Sequence, residues 1–86
     1  MRPYERLEQY GAEALSDAEL LAILIKTGTK EKSALAIAEE LLYEYGSLAD
    51  VGSADIDELR SSKGIGRVKS IEIIAAAELG RRIAFG

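Results

Sequence analysis

Cysteine and histidine are both absent from the 86 residues. Without them there are no disulfides, no thiolate or imidazole metal ligands, and no mechanism that needs histidine as a base. Catalysis would have to rest on carboxylates, lysine, serine or tyrosine, and no metal or cofactor is expected. Tryptophan is also missing, and there is one proline and one phenylalanine. The longest apolar run, Leu20 to Ile25, is six residues long, far short of the roughly 20 that cross a bilayer. Met1 is followed by Arg-Pro-Tyr-Glu rather than an apolar stretch, so a cytoplasmic chain with no membrane association is expected. A chain of this length has room for one compact domain.

The formal net charge of −4 argues, taken alone, against a polyanionic partner, but its distribution says otherwise. Seven basic residues fall in two short windows, Lys26, Lys30 and Lys32 in the first and Arg60, Lys63, Arg67 and Lys69 in the second, with Glu31 the one acid among them. These windows carry +6 and leave −10 on the remainder.

Helical spacing runs through most of the chain. Pro3 suits a first helical turn, and Tyr4, Leu7 and Tyr10 follow at helical intervals up to Gly11, predicting a short helix over about 3–10. Ser16-Asp17-Ala18-Glu19 is a capping box opening the run Leu20 to Ile25, read as a helix apolar nearly all round. Thr29 is expected to cap the next helix, whose apolar positions include Ala34, Leu35, Ile37, Ala38, Leu41, Leu42 and Tyr45, ending at Gly46. Residues 47–52 leave room for one turn. Ser53 is expected to cap a short helix turning Ile56 and Leu59 inward. A last helix is expected from about Arg67 to Ala84, with Val68, Ile71, Ile74, Ala75, Leu79 and Ile83 on its inner side. No segment alternates with period two, so the fold class is all-α, a compact bundle of five or six helices.

Sliding the chain by 37 residues lays Lys32-Ser33 on Lys69-Ser70, Ile37 on Ile74, Ala38 on Ala75 and Leu42 on Leu79. The whole chain, 1–86, therefore reads as one domain with two hairpin units, about 16–45 and about 53–84, related by a pseudo-twofold. The chemistry concentrates at Lys63-Gly64-Ile65-Gly66-Arg67-Val68-Lys69-Ser70. Glycine accepts the positive φ of a tight turn and lets another backbone approach, while Ile65 can anchor the turn in the core. Backbone N–H groups at a helix start then form an anion site. Arg67 and Lys69 oppose the helix dipole there by about 0.3–1 kcal/mol each, and Lys30 and Lys32 are expected to repeat the conflict; a bound phosphate would turn the penalty into attraction.

Leu59 to Ile74, centred on Gly64-Ile65-Gly66, resembles the helix-hairpin-helix motif of DNA-binding proteins. Residues 11–24 (GAEALSDAELLAIL), Thr27-Gly28-Thr29, Lys32-Ser33-Ala34 and Lys63-Gly64-Ile65-Gly66 together resemble the N-terminal domain of the RadC family. That resemblance implies a helical domain that precedes a JAB/MPN-type metalloprotease-like domain with a zinc site, in proteins carrying a DNA-repair label; no part of that second domain is in these residues. It implies that Lys63, Gly64, Ile65, Gly66, Arg67 and Lys69, with Gly28, Lys30 and Lys32 from the first hairpin, hold DNA phosphates. Ser62 stands where the pattern usually has an aliphatic residue, and Thr29 replaces the second glycine of the first hairpin.

Tyr4, Tyr10, Tyr43 and Tyr45 could stack on bases, but their spacing beside leucines favours packing. Glu39-Glu40 and Asp55-Asp57-Glu58 read as solvated helix faces rather than catalytic pairs. The leading expectation is a non-enzymatic module binding duplex or branched DNA weakly, in a salt-sensitive way and without sequence preference. The alternative is a docking or dimerisation domain that positions the downstream domain of the same protein.

Overall fold

In the computed structural model, which describes residues 1–86, the regular secondary structure is all helical, with no strand. Six α-helices follow one another: α1 (Pro3–Tyr10), α2 (Asp17–Ile25), α3 (Ala34–Tyr45), α4 (Leu48–Gly52), α5 (Ile56–Ser61) and α6 (Gly66–Phe85), with a 3-10 turn at Ala12–Ala14 between the first two. The expected all-α class holds. No helix is long and apolar enough to cross a membrane.

The core is built by apolar side chains that helical spacing brings inward. Leu21, Ala22 and Ile25 of α2 meet Ile37, Ala38 and Leu41 of α3, and Val51, Leu59, Ile65 and Ile73 complete the cluster. α2 packs against α3 and α5 against α6, and α6 joins the two pairs by touching α2 and α4. The Ser16 capping box forms as its sequence directs: Ser16 Oγ accepts from Glu19 N, and Glu19 Oε1 accepts from Ser16 N.

Several local expectations are corrected. The cap of α3 is Ser33, whose Oγ accepts from Ala36 N at 3.1 Å. Thr29 instead pairs with Lys32, donating its N–H to Lys32 O at 2.8 Å and accepting from Lys32 N at its hydroxyl. That closed turn cannot continue as helix, so Lys30 and Lys32 lie in the loop before α3 and not in its first turn. Likewise α5 is capped by Asp55, which accepts from Asp57 N and Glu58 N, whereas Ser53 donates to Ala49 O and finishes α4; Ile56 remains exposed. Replacing Ser33 by Ala should lower stability by about 0.5–2 kcal/mol, read from denaturant midpoints, while Thr29→Ala should leave the start of α3 intact in a helix-resolved exchange experiment.

A further correction concerns α6. Its inner side is Ser70 and Ile73, with Ile74 and Ala77 half-buried, whereas Val68, Ile71, Ala75, Leu79 and Ile83 face solvent. Small residues decide this. Gly52 of α4 approaches so closely that a Cβ built on it would lie 2.8 Å from Ala77 Cβ, and Ser70 satisfies its buried hydroxyl by donating to Arg67 O within its own helix. Hydrophobicity alone does not mark such contacts. The tyrosines do not pack as expected either: Tyr4, Tyr10 and Tyr43 are exposed, and Tyr45 alone is half-buried.

The residues matched by the 37-residue shift do not share an environment: Ala38 is buried and Ala75 exposed, Leu42 half-buried and Leu79 exposed, and the turns joining the helices differ in length. Eight residues, 26–33, connect α2 to α3, and four, 62–65, connect α5 to α6. Ser33 is therefore an exposed cap, whereas Ser70 lies buried inside its helix.

Candidate nucleic-acid interface

The first loop begins with a sharp reversal. Lys26 adopts φ 69°, ψ −64°, and Thr27 N donates to Ile25 O at 2.8 Å, a γ-turn that side-chain-bearing residues seldom occupy. The loop then folds so tightly that a Cβ on Gly28 would collide with the backbone carbonyl of Lys32. Gly28 is thus required by the close approach of two backbone segments, and its φ is not positive.

The second turn is anchored at both ends by fully buried or nearly buried side chains, Leu59 and Ile65. Ser62 N donates to Leu59 O and Ile65 N to Ser62 O, each at 3.1 Å. Gly64 at φ 87° and Gly66 at φ 66° supply the left-handed conformations between them. Their surroundings differ. A Cβ on Gly64 would sit 2.6 Å from Ile37 Cδ1 and 3.5 Å from Thr29 Cγ2, so this glycine seats the second turn against α3 and the first loop, whereas Gly66 has open space around it.

α6 starts at this open glycine. The helices α2, α3, α4 and α5 each begin with a Ser or Asp oxygen accepting a first-turn N–H. α6 begins with Ile65, which has no such oxygen, and its first turn holds no acid. Its leading N–H groups are therefore left to solvent or a ligand, at the positive end of the longest helix dipole in the molecule.

The candidate cations divide into three kinds. Lys30, Lys63 and Arg67 are exposed and form no ion pair. Lys32 is paired with Glu40 at 2.6 Å. Lys69 is half-buried, and its ammonium donates to Thr27 O at 2.7 Å and Gly64 O at 3.3 Å. It ties the two loops together and keeps one of its three N–H groups free. Arg60, in the charged window but outside the candidate set, is another exposed and unpaired cation. Lys26 is engaged by Glu72 at 2.9 Å. The distribution of charge along the sequence identified the basic windows, but which cations remain free depends on tertiary pairing.

The two loops meet across a cleft of about 110 Å³ lined by Thr29, Lys32, Ser62 and Lys63, with Glu40 and Glu44 of α3 on its far wall. Glu40 is already paired with Lys32, so Glu44 supplies the unpaired negative charge at the cleft, whereas the space around Gly66 is open. The carboxyls displaced from their ordinary range lie outside both loops. Glu19 is held down by the Ser16 N–H and then by Arg6, and Glu78 is held at about 2 by hydrogen bonds from Arg81 and then Arg82. No group of three or more carboxylates converges as a metal site.

Comparison with known proteins adds the following. The family described as UPF0758 N-terminal matches residues 1–71. A UPF0758 protein of Geobacillus sp. (strain WCH70) is 53% identical over 83 residues, covering 96% of this chain and 37% of the relative. A UPF0758 protein of Streptococcus agalactiae is 54% identical over 81 residues, covering 94% and 36%. One from Desulforudis audaxviator is 49% identical over 84 residues, covering 98% and 36%. The chain thus spans little more than a third of the length of these relatives. No solved structure matches.

Proposed function

The chain belongs to the UPF0758 N-terminal domain family, and from that premise we propose that it is a non-enzymatic module of helix-hairpin-helix type that grips the DNA backbone without reading sequence, as in the RadC proteins it resembles. The observation that carries the reading is the bare start of α6. A 20-residue helix begins without a side-chain cap, at a glycine with open space around it, between two exposed and unpaired cations, Lys63 and Arg67. Unpaired N–H donors, a helix dipole and flanking guanidinium or ammonium groups are together a phosphate site. Lys30 and Arg60 add positive charge, and Lys69 fixes the first loop beside the second so that both contribute.

Such groups recognise phosphate oxygens and carry no base code. Duplex or branched DNA is the proposed partner. We assign no reaction to these residues; the metalloprotease-like domain implied by the RadC resemblance would belong to the part of the relatives beyond this chain.

Titration of a labelled duplex should give a Kd of about 10⁻⁴–10⁻⁶ M near physiological salt, with little dependence on sequence. The free cations allow about three to five phosphates to be neutralised, so log K should fall against log salt with a slope of roughly −3 to −4.5. Raising salt from about 50 to 200 mM should then weaken binding roughly 60- to 500-fold. A salt-independent Kd, or no association at low salt, would show that the open end of α6 serves another purpose.

A further inference from the structure

α6 is apolar on two opposite sides. One side supplies Ile73, Ile74 and Ala77 to the domain. The other carries Val68, Ile71, Ala75, Leu79 and Ile83, spaced three or four residues apart, and Phe85, off this stripe by its spacing, is exposed at the helix end. Nothing in the domain covers this second stripe, and exposure is greatest toward the helix end, at 83% for Ile83 and 85% for Phe85. Every residue from Leu79 to Gly86 is exposed. Large apolar side chains exposed along one helix face are the kind of surface that marks an interaction site on a soluble protein.

Helical spacing also puts Glu72 and Arg82 on this face, and both are paired within the chain, Glu72 with Lys26 and Arg82 with Glu78, which Arg81 also engages. The surface therefore suits an apolar partner rather than a charged one. Its position identifies that partner. Residues matched to the N-terminal family stop at 71, yet the alignments with longer relatives span 81 to 84 of the 86 residues and so extend well into α6. Those relatives extend to nearly three times this length, and polypeptide continuing from α6 would be tethered at the most exposed end of the stripe, at an effective concentration of order millimolar for a short linker.

We propose that the outer face of α6, from Ile71 to Ile83, is a docking surface for apolar surface on the polypeptide that continues past α6 in full-length members of the family. α6 then serves two masters at opposite ends, an open N-terminus for phosphate and a C-terminal half shared with the following part of the protein. The docking does not depend on the DNA reading.

Hydrogen exchange tests it. In this chain the amides of residues 79–86 should exchange at close to unprotected rates, whereas the aligned peptide of the intact Geobacillus relative should exchange about 100-fold more slowly. Leu79→Ser with Ile83→Ser should shift the melting of this chain only slightly, because neither side chain reaches its core, and serine at the aligned positions of the intact relative should return that peptide to fast exchange. Fast exchange in the unaltered intact relative would overturn the proposal. So would protection in this chain alone that rises with concentration, which would assign the stripe to a second copy.

Discussion

Gly64→Val should destabilise the domain by about 2–4 kcal/mol, which for a chain of this size lowers the melting temperature by about 10–30 °C. Two effects add. Valine resists the left-handed conformation that Gly64 holds at φ 87°, and its Cβ would enter the space of Ile37 Cδ1 and press on Cγ1 at 3.2 Å. Ile37 is itself buried, so it has nowhere to retreat. Gly66→Ala is the matched control. It meets the same conformational penalty, about 1–2 kcal/mol, but no neighbour within 4 Å, and the added methyl stands where a phosphate would approach. Gly66→Ala should therefore keep the fold and lose DNA affinity several-fold, and Gly64→Val should lose the fold. Equal melting temperatures for the two variants would mean that the second turn does not rest on α3 in solution.

Charge reversal separates the site from its scaffold at two neighbouring positions. Arg67 is exposed, unpaired and in the first turn of α6. An acid there complements the dipole by about 0.3–1 kcal/mol, so Arg67→Glu should melt at or slightly above the parent temperature while binding DNA about tenfold more weakly or worse, equivalent to about 1.4 kcal/mol or more. Lys69→Glu should behave differently, although sequence position alone suggests the same outcome. Its ammonium bonds two carbonyl oxygens, on Thr27 and Gly64, and a carboxylate would repel both. With the group only half-buried, the loss is about 1–2 kcal/mol. Stability and DNA binding should fall together at Lys69 and move apart at Arg67. Paired thermal melts and duplex titrations measure both, and parental stability in Lys69→Glu would show that the tie between loops is absent in solution.

Most of the helices were legible in the sequence because they rest on local rules: Ser16 with Glu19 marks the start of α2, Gly46 the end of α3, and Pro3 the start of α1. Where several polar residues precede a helix, the local rule is degenerate. Thr29 and Ser33 both qualify as caps, and the hydrogen-bonded turn between Thr29 and Lys32 decides for Ser33. The facing of α6 was illegible for another reason. It is apolar on both sides, and the choice between them rests on Gly52 meeting Ala77, 25 residues further along the chain, a contact that no periodicity records. The candidate site divided similarly. The glycine turn and the basic windows are visible as residue types, whereas the removal of Lys32 by Glu40 and the conversion of Lys69 into a strut are products of tertiary pairing.

The tie made by Lys69 has a bearing on how divisible the domain is. Of its two acceptors, Gly64 O belongs to the same hairpin as the lysine, and Thr27 O comes from the other, 42 residues earlier. Lys26 and Glu72 join the same two regions across 46 residues. Each hairpin owns its helices, but the surface between them is joint property. Neither half excised alone would therefore present the opposed loops that the whole displays.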